Sequence, residues 1–214
     1  LPAGALASAR LVANPGCYAT AAALAAAPLL KAGLVRPGAP LVIDGKSGTT
    51  GAGKTLSEPM LFSEAADDVR PYRVGKHQHT PEIERALSRY AHAIVKVAFT
   101  PHVVPMRRGL LCSVYAPASD AAKPEDVVAA FDGVYAEAPG VEVRADAPPE
   151  TKRTLHAPQA EVWGHLDPRT GTLSAFCTLD NLVKGAAGQA IQNMNALIGE
   201  HLQAGLQPAP RSAT

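Results

Sequence analysis

The sequence predicts an α/β fold on a mixed sheet, and three observations predict it. Segments with apolar residues at helical spacing alternate with short runs rich in Val, Ile and Phe. Some of those runs follow one another with no helix between them, which argues for a mixed rather than a purely parallel sheet. The composition is rich in Ala, Gly and Pro, with 18% charged and 5% aromatic residues, and suits a globular domain with many turns. At 214 residues the chain can hold one sizeable core, or at most two small ones.

In chain order, residues 1–13 read as an entry strand or loop. Asn14-Pro15-Gly16-Cys17-Tyr18 then leads into an Ala- and Leu-rich helix to about Ala32. Asn14 is a good N-cap and Pro15 is preset for the first helical position. Pro28 should kink or end this helix, and Gly33 is a natural stop. Pro40–Asp44 is a short apolar strand, followed by a glycine-rich loop from Gly45 to Lys54, and residues 56–74 show no clean period. Thr80 and Pro81 signal a helix to about Tyr90, with Ile83, Leu87 and Tyr90 as its apolar stripe. Strands are expected over His92–Thr100 and Leu110–Ala116, joined by a Pro- and Arg-bearing connection. A helix from Pro124 should bury Val127, Val128, Phe131, Val134 and Tyr135. Glu161–Leu166 and Thr172–Leu179 form a hairpin around Asp167-Pro168-Arg169-Thr170-Gly171. A last helix spans about 182–200, and the tail 203–214 should be flexible.

The formal net charge of +1 implies no broad basic face for nucleic acid. Three dispersed cysteines make neither a disulfide framework nor a zinc-ligand pattern, so no metal is expected, and a reducing cytoplasm is the simplest compartment. Pro28 and Lys31 interrupt the best apolar run before it reaches membrane-spanning length. The chain begins at Leu1, which suggests a piece of something longer.

Four stretches can carry chemistry. Cys17 falls in the first turn of a helix, where unpaired N–H groups and the dipole favour an anion and should ease loss of the thiol proton. The alternative is an ordinary buried cysteine. Gly48 to Thr55 matches the phosphate-loop pattern G-x-x-x-x-G-K-T, but Pro59 arrives where the helix should run. A glycine loop whose amides approach a smaller anionic substrate is the better reading. His77 and His79 precede a helix and are either loop histidines or acid/base groups beside Cys17. Arg107 and Arg108 are either surface charges or a planar fork for carboxylate or phosphate. Cys112 and Cys177 sit in apolar strands as packing residues. Asn181 and Lys184 read as a cap and a surface charge.

Taken together, these stretches resemble the N-acetyl-gamma-glutamyl-phosphate reductase family. The matching pieces are Asn14-Pro15-Gly16-Cys17-Tyr18, the loop Ser47-Gly48-x-x-Gly51-Ala52-Gly53, and His77-x-His79-x-Pro81-Glu82-Ile83. Further along are Phe99-Thr100-Pro101-His102 with Arg108-Gly109, and Asp180-Asn181-Leu182-x-Lys184-Gly185-Ala186. The Lys54-Thr55 pair departs from the family, which commonly has an arginine near there.

The resemblance implies a largely antiparallel mixed sheet with helices on one face, like the C-terminal domain of glyceraldehyde-3-phosphate dehydrogenase. Residues 1–202 would be the catalytic and dimerisation domain, without the nucleotide-binding domain that the family places ahead of it. The last helix would pack on that domain and expose Val183, Ala187, Ile191 and Met194 here. The implied activity is NADPH-dependent reduction of an acyl phosphate to a semialdehyde, through a thioester on Cys17, in arginine biosynthesis. His77 would move the proton and help keep Cys17 ionised. His79, Arg108, Ser47 and Gly48 would bind substrate. Asn181 and Gly51 would border NADP, itself held mainly by the absent domain. The implied partners are the small acyl phosphate and further copies of the chain, as a dimer or tetramer. The alternatives are a related enzyme, aminoadipyl-phosphate reductase or aspartate-semialdehyde dehydrogenase, or a P-loop nucleotide-binding module.

Overall fold

The computed structural model describes residue 6, residues 8–53, residue 55 and residues 57–206. Its frame is a seven-stranded sheet. The strands are β1 (Leu41–Ser47), β2 (Arg70–Pro71), β3 (Val97–Val103), β4 (Leu110–Pro117), β5 (Val141–Val143), β6 (Ala160–Asp167) and β7 (Thr172–Leu179). Their spatial order is β2-β3-β1-β4-β7-β6-β5. The β1–β3 and β5–β6 pairings are parallel and the other four are antiparallel. The mixed, largely antiparallel sheet is therefore as expected. β1 runs three residues past Asp44, into the stretch read as a glycine loop. Gly45 permits this, because a β-carbon there would overlap the Tyr18 ring.

Three long helices lie on one face: α1 (Cys17–Lys31), α3 (His79–Ala91) and α4 (Pro124–Tyr135). Between α1 and α3 comes the single turn α2 (Phe62–Ala65), and after α4 the single turn α5 (Thr151–Thr154). The π-helical turn Val183–Ala187 then leads into α6 (Gly188–Ile198). α1 packs over β4, β7 and β6, flanked by α3 and α4. Its alanines make that close approach possible, and Ala21, Ala22, Ala25 and Ala26 are wholly buried. Burying each large side chain of this core, such as Leu29, Ile43 or Leu110, contributes about 1.5–3 kcal/mol.

Pro28 neither ends nor breaks α1, which continues to Lys31. A proline at 28 cannot donate to the carbonyl of Leu24. The Tyr135 hydroxyl of α4 donates to that carbonyl instead, at 2.8 Å. The N-terminus differs too. Gly16, in extended geometry, is the cap residue, and Cys17 is the first helical residue. Asn14 turns aside: its amide donates to Ala186 O and its oxygen accepts from Asn193. α3 starts at His79, ahead of Thr80. Tyr90 leaves its buried stripe, and Val128 of α4 is likewise exposed.

The β6–β7 hairpin forms as expected. Asp167 accepts from the Arg169 N–H and the Thr170 hydroxyl, and Gly171 closes the turn at φ 64°. The last helix and the start of the tail are joined by hydrogen bonds. Asn195 donates to Leu202 O and Ala204 O, and Leu206 is buried. Residues 207–214 lie outside the described residues.

Among the described residues, none of the three long helices covers the opposite face of the sheet. Strand register puts Val42, Tyr115, Ser174 and His165 in one row there, and Asp44, Ser113, Phe176 and Trp163 in the next. Val42 is exposed, and Tyr115, Phe176 and Trp163 are half-buried. α6 is turned inside out in the same sense. Its inner side holds the polar Gln192 and Asn195, while Ala187 just ahead of it and Met194 and Ile198 along it face out. Ala187 and Met194 are thus exposed as expected, and Val183 and Ile191 are half-buried.

Candidate active site

Cys17 opens α1, so the amides of Cys17 and Tyr18 have no carbonyl one turn earlier to bond. Both amides favour the thiolate, as the helix-start argument requires. Burial outweighs them and, with the nearby Glu82 carboxylate, holds the thiol above its ordinary range. The expectation of an easily ionised thiol is corrected here, because a half-buried sulfur loses more hydration than two amides return. Cys17 rests on Gly185: a β-carbon there would come within 2.7 Å of the Cys17 Cβ.

The histidines arrive from the N-terminal end of α3 and share one cluster with Tyr18. Ring centroids of His77 and His79 lie 5.8 and 6.1 Å from that of Tyr18. Their roles separate. His77 is buried among Tyr18, Tyr72, Phe99 and His79. Its Nδ1 accepts the His79 N–H at 3.2 Å, which places its own proton on Nε2. Burial, helped by His79 and Arg73, lowers its pKa to about 4. His79 is the ring that lies against the helix start, since a β-carbon on Gly16 would overlap it. Its Nε2 is 3.9 Å from Glu82 Oε2, and its Nδ1 is buried with no partner. Burial lowers the His79 pKa and Glu82 opposes that shift. The other oxygen of Glu82 accepts the Gly16 N–H at 3.1 Å.

Most described amides of the glycine loop are already engaged. The amides of Gly48, Thr49 and Thr50 donate to the carbonyls of Gly109, Met106 and Arg107, and those of Gly51 and Gly53 bond within the loop. Gly48 has no room for a side chain, because the 106–108 backbone lies against it. These bonds occupy the amides of Gly48 to Gly51 and of Gly53; Lys54 lies outside the described residues. Ser47 is buried and donates to Gly48 O. Asn181 is a clamp. Its oxygen accepts the Gly109 N–H at 2.8 Å and its amide donates to Thr50 Oγ1 at 3.0 Å. Gly51 faces Ser47 and, farther off, the Asn181 amide. A cleft of about 230 Å³ beside this loop is lined by Thr49, Thr50, Gly53 and Met60, among others. Arg108 is paired: its Nε lies 2.7 Å from the buried Asp180 carboxylate.

The profile of the semialdehyde dehydrogenase dimerisation domain matches residues 17–181, from the thiol to the Asn181 clamp. The chain belongs to that family. It is 45% identical over 203 residues to an N-acetyl-gamma-glutamyl-phosphate reductase from Syntrophobacter fumaroxidans, covering 95% of this chain and 59% of that protein. With the enzyme of the same name from Symbiobacterium thermophilum it shares 48% over 193 residues, 89% of this chain and 55% of the relative. The chain thus spans between half and three fifths of these curated relatives. Among solved structures, aspartate semialdehyde dehydrogenase II from Vibrio cholerae superposes with a TM-score of 0.68 at 16% identity, over 89% of this chain and 63% of that one. A probable aspartate-semialdehyde dehydrogenase from Pseudomonas aeruginosa gives 0.68 at 19%, over 92% and 66%. These likenesses establish the fold.

In this semialdehyde dehydrogenase domain, four groups at the site were given no role in the sequence reading. Glu82 holds the residue before the thiol, Tyr72 walls His77, Gly185 makes the floor and Asp180 grips Arg108. Glu82, a carboxylate three positions after His79 in a first helical turn, lay in one of the matching motifs, as did Asp180 and Gly185; Tyr72 left no signal.

Proposed function

We propose that this chain is the catalytic and dimerisation part of an NADPH-dependent reductase. It would convert N-acetyl-glutamyl 5-phosphate to the semialdehyde with release of phosphate, as a step of arginine biosynthesis in the cytoplasm. The observation that carries the reading is the convergence on Gly16, where a thiol at a helix start, the His79 ring and the Glu82 carboxylate meet.

His79, whose Nε2 lies over the helix start at Gly16, is the base that takes the Cys17 proton. The thiolate attacks the acyl carbon, the C–O bond to phosphate breaks, and a thioester remains on Cys17. The helix-start amides of Cys17 and Tyr18 stabilise the oxyanion. A nicotinamide cofactor supplies a hydride when bound. Collapse of the resulting hemithioacetal returns the proton to Cys17 and frees the aldehyde. His77, buried and neutral, serves as the wall that sets the His79 backbone rather than as the base. Arg108 offers its remaining donors to a substrate oxyanion. The Ser47, Gly51 and Asn181 edge fits a border for the cofactor rather than a grip on its phosphates, because its amides are already bonded.

Two bare surfaces fit the partners this reading needs. The uncovered sheet face, with its Tyr115, Phe176 and Trp163 strip, suits a second copy of the chain. The outward stripe of Ala187, Met194 and Ile198 suits the nucleotide-binding domain.

The test is the reverse reaction of the intact protein, with semialdehyde, phosphate and NADP⁺, followed as NADPH absorbance. Turnover is expected with the N-acetyl-glutamate semialdehyde, and none in Cys17→Ser. Turnover with aspartate semialdehyde alone would replace the substrate, and turnover surviving Cys17→Ser would remove the thiol from the mechanism.

A further inference from the structure

Asp180 is a wholly buried carboxylate, and such a group persists in a fold only when paired and hydrogen-bonded. Its two oxygens do different things. Oδ1 accepts the N–H groups of Leu182 at 2.9 Å and Val183 at 3.0 Å, and so fixes the turn that leads toward α6. Oδ2 accepts the N–H of His156 at 2.7 Å and lies 2.7 Å from Arg108 Nε. Burial alone would push the Asp180 carboxyl up, but these four donors outweigh it and hold it below the ordinary carboxylate range. The Asp180 carbonyl also accepts the N–H of Gly185, the residue on which Cys17 rests. One residue therefore joins the floor beneath the thiol to the arginine of the same site.

The consequence falls on Arg108. A guanidinium beside a carboxylate is biased in direction by charge as well as by any directed bond. Arg108 Nε stands 2.7 Å from Asp180 as an ion pair without the alignment of a hydrogen bond, and the side chain is 27% exposed. The Arg108 backbone is held as well, because it lies against Gly48 with no room for a side chain between them.

We infer that Asp180 is a positioning residue, whose ion pair keeps Arg108 where its Nη atoms meet a substrate oxyanion, phosphoryl or carboxylate, beside Cys17. This rests on the reading of Cys17 and Arg108 as parts of one substrate site. The competing role is a simple cap on the turn before α6. The two roles separate in Asp180→Asn. Asparagine keeps an oxygen for Leu182 and Val183 but turns an NH₂ toward His156 N–H and Arg108, which are donors themselves.

The experiment is protection of Cys17 in the intact protein against iodoacetamide, by inorganic phosphate in one arm and acetate in the other. No turnover is needed, so a different acyl-phosphate substrate would leave the result standing. In wild type one of the two anions protects, and which one names the oxyanion. Asp180→Asn and Arg108→Ala each raise the half-protecting concentration about tenfold or more, and the double variant raises it no further than the larger single. Half-protection within about twofold of wild type in a folded Asp180→Asn overturns the inference, as do effects that multiply in the double variant or protection by neither anion. Should Asp180→Asn fail to fold, Arg108→Lys decides. Lysine keeps the charge but not the fork, so weakened protection supports the positioning role and wild-type protection overturns it.

Discussion

Glu82 accepts the backbone N–H of Gly16, 66 positions earlier in the chain, at 3.1 Å. That bond fastens the residue before the nucleophile to the first turn of α3, while the second oxygen of the same carboxylate faces His79. Replacing the charge but not the acceptor separates the two roles. Glu82 raises the pKa of both His79 and Cys17, so Glu82→Gln should lower both. The midpoint of the alkylation rate against pH is expected to move to lower pH, by less than about one unit, with stability nearly unchanged. Glu82→Ala also strands the Gly16 amide and should cost about 1 kcal/mol in a denaturant melt.

His79 and His77 should differ when each is replaced. His79→Ala removes the ring against the helix start and is expected to slow Cys17 alkylation at neutral pH about tenfold or more. His77→Ala removes a wall and should show mainly as lost stability, of about 1–3 kcal/mol. Alkylation rates and melts of both variants check this, and the reverse pattern would return the base to His77.

Two glycines should respond to alanine with opposite sign. At Gly185 a β-carbon would stand 2.7 Å from the Cys17 Cβ and 3.2 Å from Leu179 Cδ1, inside the closely packed floor of the site. Gly185→Ala should cost about 1–3 kcal/mol and slow the thiol. Gly133, inside α4, has open space around a β-carbon. Gly133→Ala should stabilise by about 0.5–1 kcal/mol, because the unfolded chain loses freedom. Thermal melts and alkylation rates of the two variants check both signs.

His77 predicts a pH dependence of stability. Its pKa is about 4 in the fold against 6.5 as the ordinary value. The unfolded chain therefore binds the proton more readily, and stability rises with pH through that window. The contribution is complete above about pH 6.5 and is lost as pH falls toward 4, to a total of up to about 3 kcal/mol. Denaturant melts from pH 4 to 8 measure it, and His77→Phe should flatten the slope.

The elements with a strong local pattern were legible in the chain. The 167–171 hairpin, the helix from Pro124 and the strand Leu110–Pro117 follow from turn residues and spacing that depend on neighbours in sequence. How the helix continues past Pro28 was not legible, for the opposite reason. Its local effect is to leave the Leu24 carbonyl unbonded, and the hydroxyl that compensates comes from Tyr135, 111 positions away. The glycine-rich run shows the same limit. Pro59 already argued locally against a phosphate loop, but nothing local shows that the Met106, Arg107 and Gly109 carbonyls of a distant connection take up the amides of Gly48 to Thr50.

By itself the sequence determined the mixed sheet, the helices over it, a thiol at the mouth of the first helix and two histidines around the start of another. Spacing and caps carry that much, because each is a relation between residues a few positions apart. Only the tertiary structure decided which imidazole lies against the helix start, that burial raises the thiol pKa, and that Asp180 and Glu82 organise the site. Those are matters of desolvation and of pairing between residues remote in sequence, and no local pattern encodes either.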